Sequence, residues 1–214
     1  MKKHVWLIIG LLVAACQTQP GNIPVVDAAL YDTNSVFYTD FTTYPPVRNH
    51  LPIGIFDSGT GGLTVLEAIL SSRLLEGEDF IYLADQANMP YGNYPAEGKT
   101  DFLRELIIKD ALFLLGHQVK IIVVACNTAT AYGLEDIRNF LDESNSGIKV
   151  IGVINAGVNA TLDRIDPKEN VAVGVLATVG TIASGGYENT FRALAKDSGY
   201  TGDLQIVSHG AAGF

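Results

Sequence analysis

The sequence predicts an α/β fold made of parallel-sheet β-α-β lobes. Three observations predict it. From Pro52 onward, short apolar runs alternate with amphipathic stretches. One run, residues 121–125, is continuously apolar and largely β-branched, the pattern of a parallel strand covered on both faces. Polar segments carrying glycine, asparagine or threonine follow these runs, where such a sheet gathers its ligand loops.

The elements are expected in this order. Residues 52–56 form a strand, and Leu63, Leu66 and Leu70 then fall at helical spacing. Residues 80–84 form a second strand, and Leu103, Leu106, Ile107 and Leu114 mark a long second helix. The third strand is residues 121–125, followed by a helix with Leu134, Ile137 and Leu141 on one face. Residues 150–154 and 171–177 read as further strands, with a short helix near Ala160 between them. One helix is expected over about 182–196, and residues 204–207 read as a last strand.

Composition narrows the function classes. The 214 residues include 14 Lys+Arg and 23 Asp+Glu, a formal net charge of −9, so no basic footprint for nucleic acid is present. The apolar fraction of 48% is that of a folded chain rather than a disordered one. Two cysteines, Cys16 and Cys126, without a CxxC pair argue against a disulfide framework or a cysteine-rich zinc site.

The first residues read as a processing segment. Lys2 and Lys3 precede an apolar run, residues 5–15, that is too short to span a bilayer. It ends in Val13-Ala14-Ala15-Cys16, which resembles a bacterial lipobox, with Cys16 as the lipidation site. A signal peptide over 1–15 and a membrane anchor at the periplasmic side of the cell envelope are therefore expected, with a cytoplasmic location if the signal is not used. The competing reading is a buried N-terminal strand or helix. Residues 16–51, with Pro20, Pro24, Pro45 and Pro46 and little periodicity, read as a tether.

Three loops carry candidate chemistry. Asp57-Ser58-Gly59-Thr60-Gly61-Gly62 follows the first strand and reads equally as a tight turn or as a ligand loop. A dinucleotide fingerprint would need glycine at 64, where Thr64 stands. Met89-Pro90-Tyr91-Gly92 follows the second strand and on its own reads as a surface turn that presents amides and a phenol. Cys126-Asn127-Thr128 follows the third strand. A thiol there is either inert packing or a thiolate favoured by helix N-terminal amides.

Together these segments resemble the cofactor-independent glutamate racemases of the aspartate/glutamate racemase superfamily. The resemblance is carried by the run from Ile53 to Leu66, by Tyr82-Leu83-Ala84-Asp85 with Pro90-Tyr91-Gly92, and by Val124-Ala125-Cys126-Asn127-Thr128-Ala129. Val150-Ile151-Gly152-Val153-Ile154, the run from Gly174 to Thr181, and Ser184-Gly185-Gly186-Tyr187 continue it in order. It implies two α/β lobes with the substrate between them: a first lobe over 52–149 and the start of a second, incomplete one over 150–214. It implies interconversion of L- and D-glutamate for peptidoglycan by two cysteines on opposite faces of the α-carbon, with no cofactor or metal. Cys126 matches the first-lobe cysteine, and Asp57 matches an aspartate placed to assist it. Asp57, Ser58, Tyr91, Gly92, Asn127, Thr128 and Thr181 match substrate-binding positions.

The family's second cysteine stands in a Cys-Thr-His motif whose place would lie beyond residue 214. Late in the chain His209 is the ionisable group of suitable range, but no family motif sets it opposite Cys126. Where the family has Glu-Pro-Gly, this chain has Asn155-Ala156-Gly157. The expected partners are a small dicarboxylic amino acid (glutamate or aspartate), the membrane through Cys16, and a second copy in a homodimer. The alternative is a lipid-anchored homologue that binds an amino acid with impaired catalysis.

Overall fold

The computed structural model describes residues 5–8, 25–45 and 48–211. The elements run β1 (Val5–Ile8), α1 (Val25–Tyr31), β2 (Ile53–Asp57), α2 (Gly62–Ser71), β3 (Phe80–Ala84), α3 (Thr100–Gly116), β4 (Ile121–Val124) and α4 (Asn127–Glu143). They continue with β5 (Lys149–Gly152), α5 (Val153–Leu162), β6 (Val171–Thr178), α6 (Val179–Ala183), α7 (Gly186–Asp197) and β7 (Leu204–Ala211). Strands β1 to β5 form one sheet in the order β1-β3-β2-β4-β5, and β6 pairs with β7 in a second. Every pairing is parallel, as the β-α-β order requires.

Period-two alternation divides the large sheet's side chains between two cores. Ile53, Ile55, Phe80, Tyr82 and Ala84 face α2 and pack with Leu66. Phe56, Ile81, Leu83, Ile122 and Val124 face the other way, into a larger core with α3 and α4. A third, smaller core under the second sheet joins Ile154 and Val158 of α5 to Val175 and Phe191.

Four expectations are corrected. Residues 25–45 are not a free tether. Val25 and Ala29 of α1 are buried, and Tyr31 Oη donates to Glu143 at 2.6 Å. Tyr44 is buried and donates to the Leu115 carbonyl at 2.7 Å. Val25 with Ala29 and Val26 with Leu30 are spaced four apart and pack on the large core, a helical signal of only two turns that the prolines around it obscured. The strand expected over 150–154 stops at Gly152, and Val153 and Ile154 open α5. Ile154 and Val158, four residues apart, then face the core. The helix expected over 182–196 is two helices, divided at Gly185, whose φ of +67° only glycine adopts cheaply. On β4, Ile121 and Val123 are half-buried rather than fully covered.

Val5–Ile8, inside the run read as an export signal, forms the sheet's edge strand against Phe80–Leu83. Cys16 and the rest of residues 9–24 lie outside the described residues. No described helix is long and apolar enough to cross a membrane.

Candidate active site

The parallel register places the ends of β2, β3 and β4 side by side, with Asp57 opposite Ala84 and Phe56 opposite Val124. The loops after these strands therefore open at one edge of the sheet. Asp57 is 7% exposed, and its Oδ2 accepts the Gly62 N–H at 2.8 Å, which closes the turn into α2. A Cβ at Gly62 would stand 2.6 Å from Asp57 Cβ, 2.7 Å from Tyr82 Oη and 2.9 Å from Ala125 Cβ. Only glycine lets the helix start this close to the strand ends.

Cys126 caps α4, its Sγ accepting the Ala129 N–H at 3.3 Å. Ser58 Oγ lies 3.4 Å from the same sulfur. Asp57, Ser58 and Cys126 thus converge as expected, but the thiolate expectation is corrected. Burial pushes the Cys126 thiol above its ordinary value, and the neighbouring Asp57 charge pushes it further. The Ser58 and Ala129 hydrogen bonds pull the other way and are outweighed. A 6% exposed group gains little solvation as an anion, so these surroundings favour the protonated thiol.

Tyr91 and Gly92 are both buried, and the Met89–Pro90 peptide before them is cis. The phenol is not presented as a ligand group. Tyr91 Oη lies 2.6 Å from Asp85 Oδ2 and 2.8 Å from Asp110 Oδ2. Burial, reinforced by the Asp85 charge, raises Asp110 well above the carboxylate range. One proton on Asp110 and one on Tyr91 then give a consistent chain, Asp110 to Tyr91 to Asp85. Asn88 Nδ2 donates to both Asp85 oxygens at 2.9 Å. The Tyr91–Gly92 turn can therefore offer its backbone but not its hydroxyl.

Thr128 and Thr181 are buried and hydrogen-bond to each other at 2.9 Å. Thr178, which caps α6, completes the cluster at 2.9 Å from Thr181 and 3.3 Å from Thr128. Gly92 packs against the Thr178 side chain. Asn127 is exposed, and its Oδ1 accepts from Tyr187 Oη at 2.7 Å. Tyr132 Oη donates to the Gly180 carbonyl at 2.9 Å. Residues of α4 and the 89–92 turn thus meet α6 and α7, which brings Thr181 beside the loops that follow the second and third expected strands. His209 is exposed on β7, in register with Leu176.

Thr178, Tyr187, Tyr82 and Asp110 were not singled out from the sequence as site residues. Thr178 carried a usable signal, a threonine between an apolar strand and a helix. Asp110 carried none, since an acidic residue inside a helix reads as surface. Among the described residues no three His, Cys, Asp or Glu side chains gather as a metal site.

No protein-family model matches the chain. A glutamate racemase from Oceanobacillus iheyensis is 43% identical over 145 residues, 68% of this chain and 48% of that protein. A crystal structure of glutamate racemase isoform RacE1 from Bacillus anthracis matches with a TM-score of 0.63 and 34% identity, covering 76% of this chain and 54% of that one. Glutamate racemase from Francisella tularensis, solved in complex with D-glutamate, matches with a TM-score of 0.56 and 33% identity over 75% of this chain and 53% of that one. The chain spans about half the length of the curated relatives it matches.

Proposed function

This chain is a homologue of the glutamate racemases and carries their fold over about half of their length, and on that footing we propose that its strand-end loops bind glutamate and exchange its α-proton at Cys126. The observation that carries the reading is the convergence of Asp57, Ser58 and Cys126 at one sheet edge, with Ser58 Oγ 3.4 Å from the sulfur. In this reading the amides and hydroxyls around Asn127, Thr128 and Thr181 hold the carboxylates. As thiolate, Cys126 accepts the α-proton from one face of the carbon, and as thiol it returns one. Inversion needs a second proton carrier on the opposite face. Burial first, and then the Asp57 charge, hold the proton on Cys126, so the thiolate forms only against that cost. D-glutamate formed this way would serve peptidoglycan synthesis.

The test is α-deuterium exchange in heavy water, followed for each glutamate enantiomer with the 214-residue chain. Exchange into one enantiomer, abolished by Cys126→Ala, is expected, with slow or no net inversion. Racemisation that survives Cys126→Ala would overturn the reading. Binding without exchange would leave an amino-acid-binding homologue in its place.

We also propose that the chain is anchored to the bacterial envelope through a lipid on Cys16. The Lys2-Lys3 start, the short apolar run and the Ala15-Cys16 junction support this. Processing at Cys16 would remove β1 and leave β3 as the sheet edge. Membrane fractionation of wild type against Cys16→Ser checks it, and a wild-type chain that stays soluble with Met1 intact would refute it.

A further inference from the structure

Among the described residues, one buried side-chain oxygen or nitrogen has no hydrogen-bond partner, and it is Tyr82 Oη. An unpaired hydroxyl in a core costs stability unless something uses it. Tyr82 is 1% exposed and sits on the central part of β3. Its ring packs in the apolar cluster with Ile53, Ile55 and Leu66, so a phenylalanine would fill the same volume. The hydroxyl points to the strand ends. The point 2.7 Å from Oη, where a Gly62 Cβ would stand, is also 2.6 Å from Asp57 Cβ. Tyr82 Oη and the Asp57 side chain therefore border the same small space under the first turn of α2.

We propose that Tyr82 is a positioning residue for Asp57: its hydroxyl is held in reserve and donates to the Asp57 carboxylate when Cys126 loses its proton. Ionising Cys126 puts a second negative charge beside Asp57 in a buried place. A neutral donor behind the carboxylate spreads the Asp57 charge and eases formation of the thiolate. Burial, with the charges of Asp57 and Cys126, pushes the Tyr82 hydroxyl far up, so it remains a donor throughout the range in which the thiol titrates. The titratable groups that bear on Cys126 are Asp57 from β2 and Tyr82 from β3. Asp85 and Asp110 are engaged with Tyr91 instead.

The inference rests on Cys126 being the proton carrier, yet its test needs neither substrate nor turnover, so it can fail while the racemase reading stands. The full 214-residue chain with Cys16→Ser has Cys126 as its one thiol. Its thiolate is followed by ultraviolet absorbance across pH, with a Cys126→Ala version of each variant as the blank. Tyr82→Phe should raise the thiol midpoint by about one pH unit, the shift that one hydrogen bond of ordinary strength produces. Its thermal midpoint should hold or rise. In an Asp57→Asn background the same substitution should leave the thiol midpoint where it is. An unchanged midpoint in Tyr82→Phe, with or without a loss of thermal stability, would assign the hydroxyl to packing and overturn the proposal. An equal shift in the Asp57→Asn background would overturn the route through Asp57.

Discussion

Thr128 and Thr181, 53 positions apart, share a buried 2.9 Å hydrogen bond that ties the start of α4 to the start of α6. Thr178 hydrogen-bonds to both. This cluster joins the start of α4, just after β4, to the end of β6 in the second sheet.

Thr181→Val keeps the shape and removes the central hydroxyl. Thr128 and Thr178 would retain their longer 3.3 Å contact. We expect a loss of about 1–2 kcal/mol in urea unfolding, the size of one or two buried hydrogen bonds. Unchanged stability would show that the cluster does not hold the two sheets together.

Gly62→Ala tests the close approach at the start of α2. The new methyl would meet Asp57 Cβ, Tyr82 Oη and Ala125 Cβ, all inside 3 Å. Asp57 Cβ and Ala125 Cβ are fixed to the backbone and cannot swing away. Overpacking of this kind costs about 1–3 kcal/mol, and urea unfolding should show it. A variant as stable as wild type would mean that α2 shifts freely off the strand ends.

Asp110→Asn should matter in a pH-dependent way. Burial makes Asp110 hold its proton more tightly in the folded chain than in the unfolded one, where it leaves near the ordinary carboxylate value. Its contribution to stability is therefore full below that value and declines as pH rises toward the folded one. Asparagine keeps a donor for Tyr91 without that decline. The stability of the variant relative to wild type should grow as pH rises from the acid range to neutrality. A difference that does not change with pH would disprove proton retention at this site.

Cys126→Ala should flatten part of the alkaline limb of stability. The folded thiol is raised, so the unfolded chain gives up its proton first as pH increases. Wild-type stability from this group is present below the ordinary thiol value and is lost as pH rises through the folded one. The wild-type minus variant difference, from denaturant curves at neutral and alkaline pH, isolates it from the buried tyrosines. A difference that grows with pH would indicate a thiolate in the resting site.

What the sequence revealed followed from local periodicity and strand-end position. Asp57, Ser58 and Cys126 could be placed together because β2 and β4 are apolar runs whose parallel pairing lines up the residues that follow them. Leu134, Ile137 and Leu141 gave α4 by spacing, and all three are buried. The missed features are those that depend on tertiary partners. Tyr91 reads as a ligand group until Asp85 and Asp110 are found around its hydroxyl. The break at Gly185 was legible in Ser184-Gly185-Gly186, a turn signal that the helical reading of residues 182–196 passed over. In residues 25–45 the period is confined to one seven-residue helix, where Val25 with Ala29 and Val26 with Leu30 face the core, too short a run to stand out between the flanking prolines.

One consequence lies in where α2 and α4 begin. Both helices start at the ends of neighbouring strands, and each carries a partial positive charge at that end from its aligned peptides. The α2 end is taken up in offsetting Asp57, which accepts its Gly62 amide. The α4 end is capped only by the Cys126 sulfur, a weak acceptor that offsets little of that charge. The protein as a whole carries −9, so at long range it repels an anion that its own backbone attracts at short range. Added salt damps the long-range repulsion far more than the field of fixed peptides beside the site. Capture of a dicarboxylate should therefore become faster with ionic strength, opposite to the behaviour of a site lined by lysines and arginines.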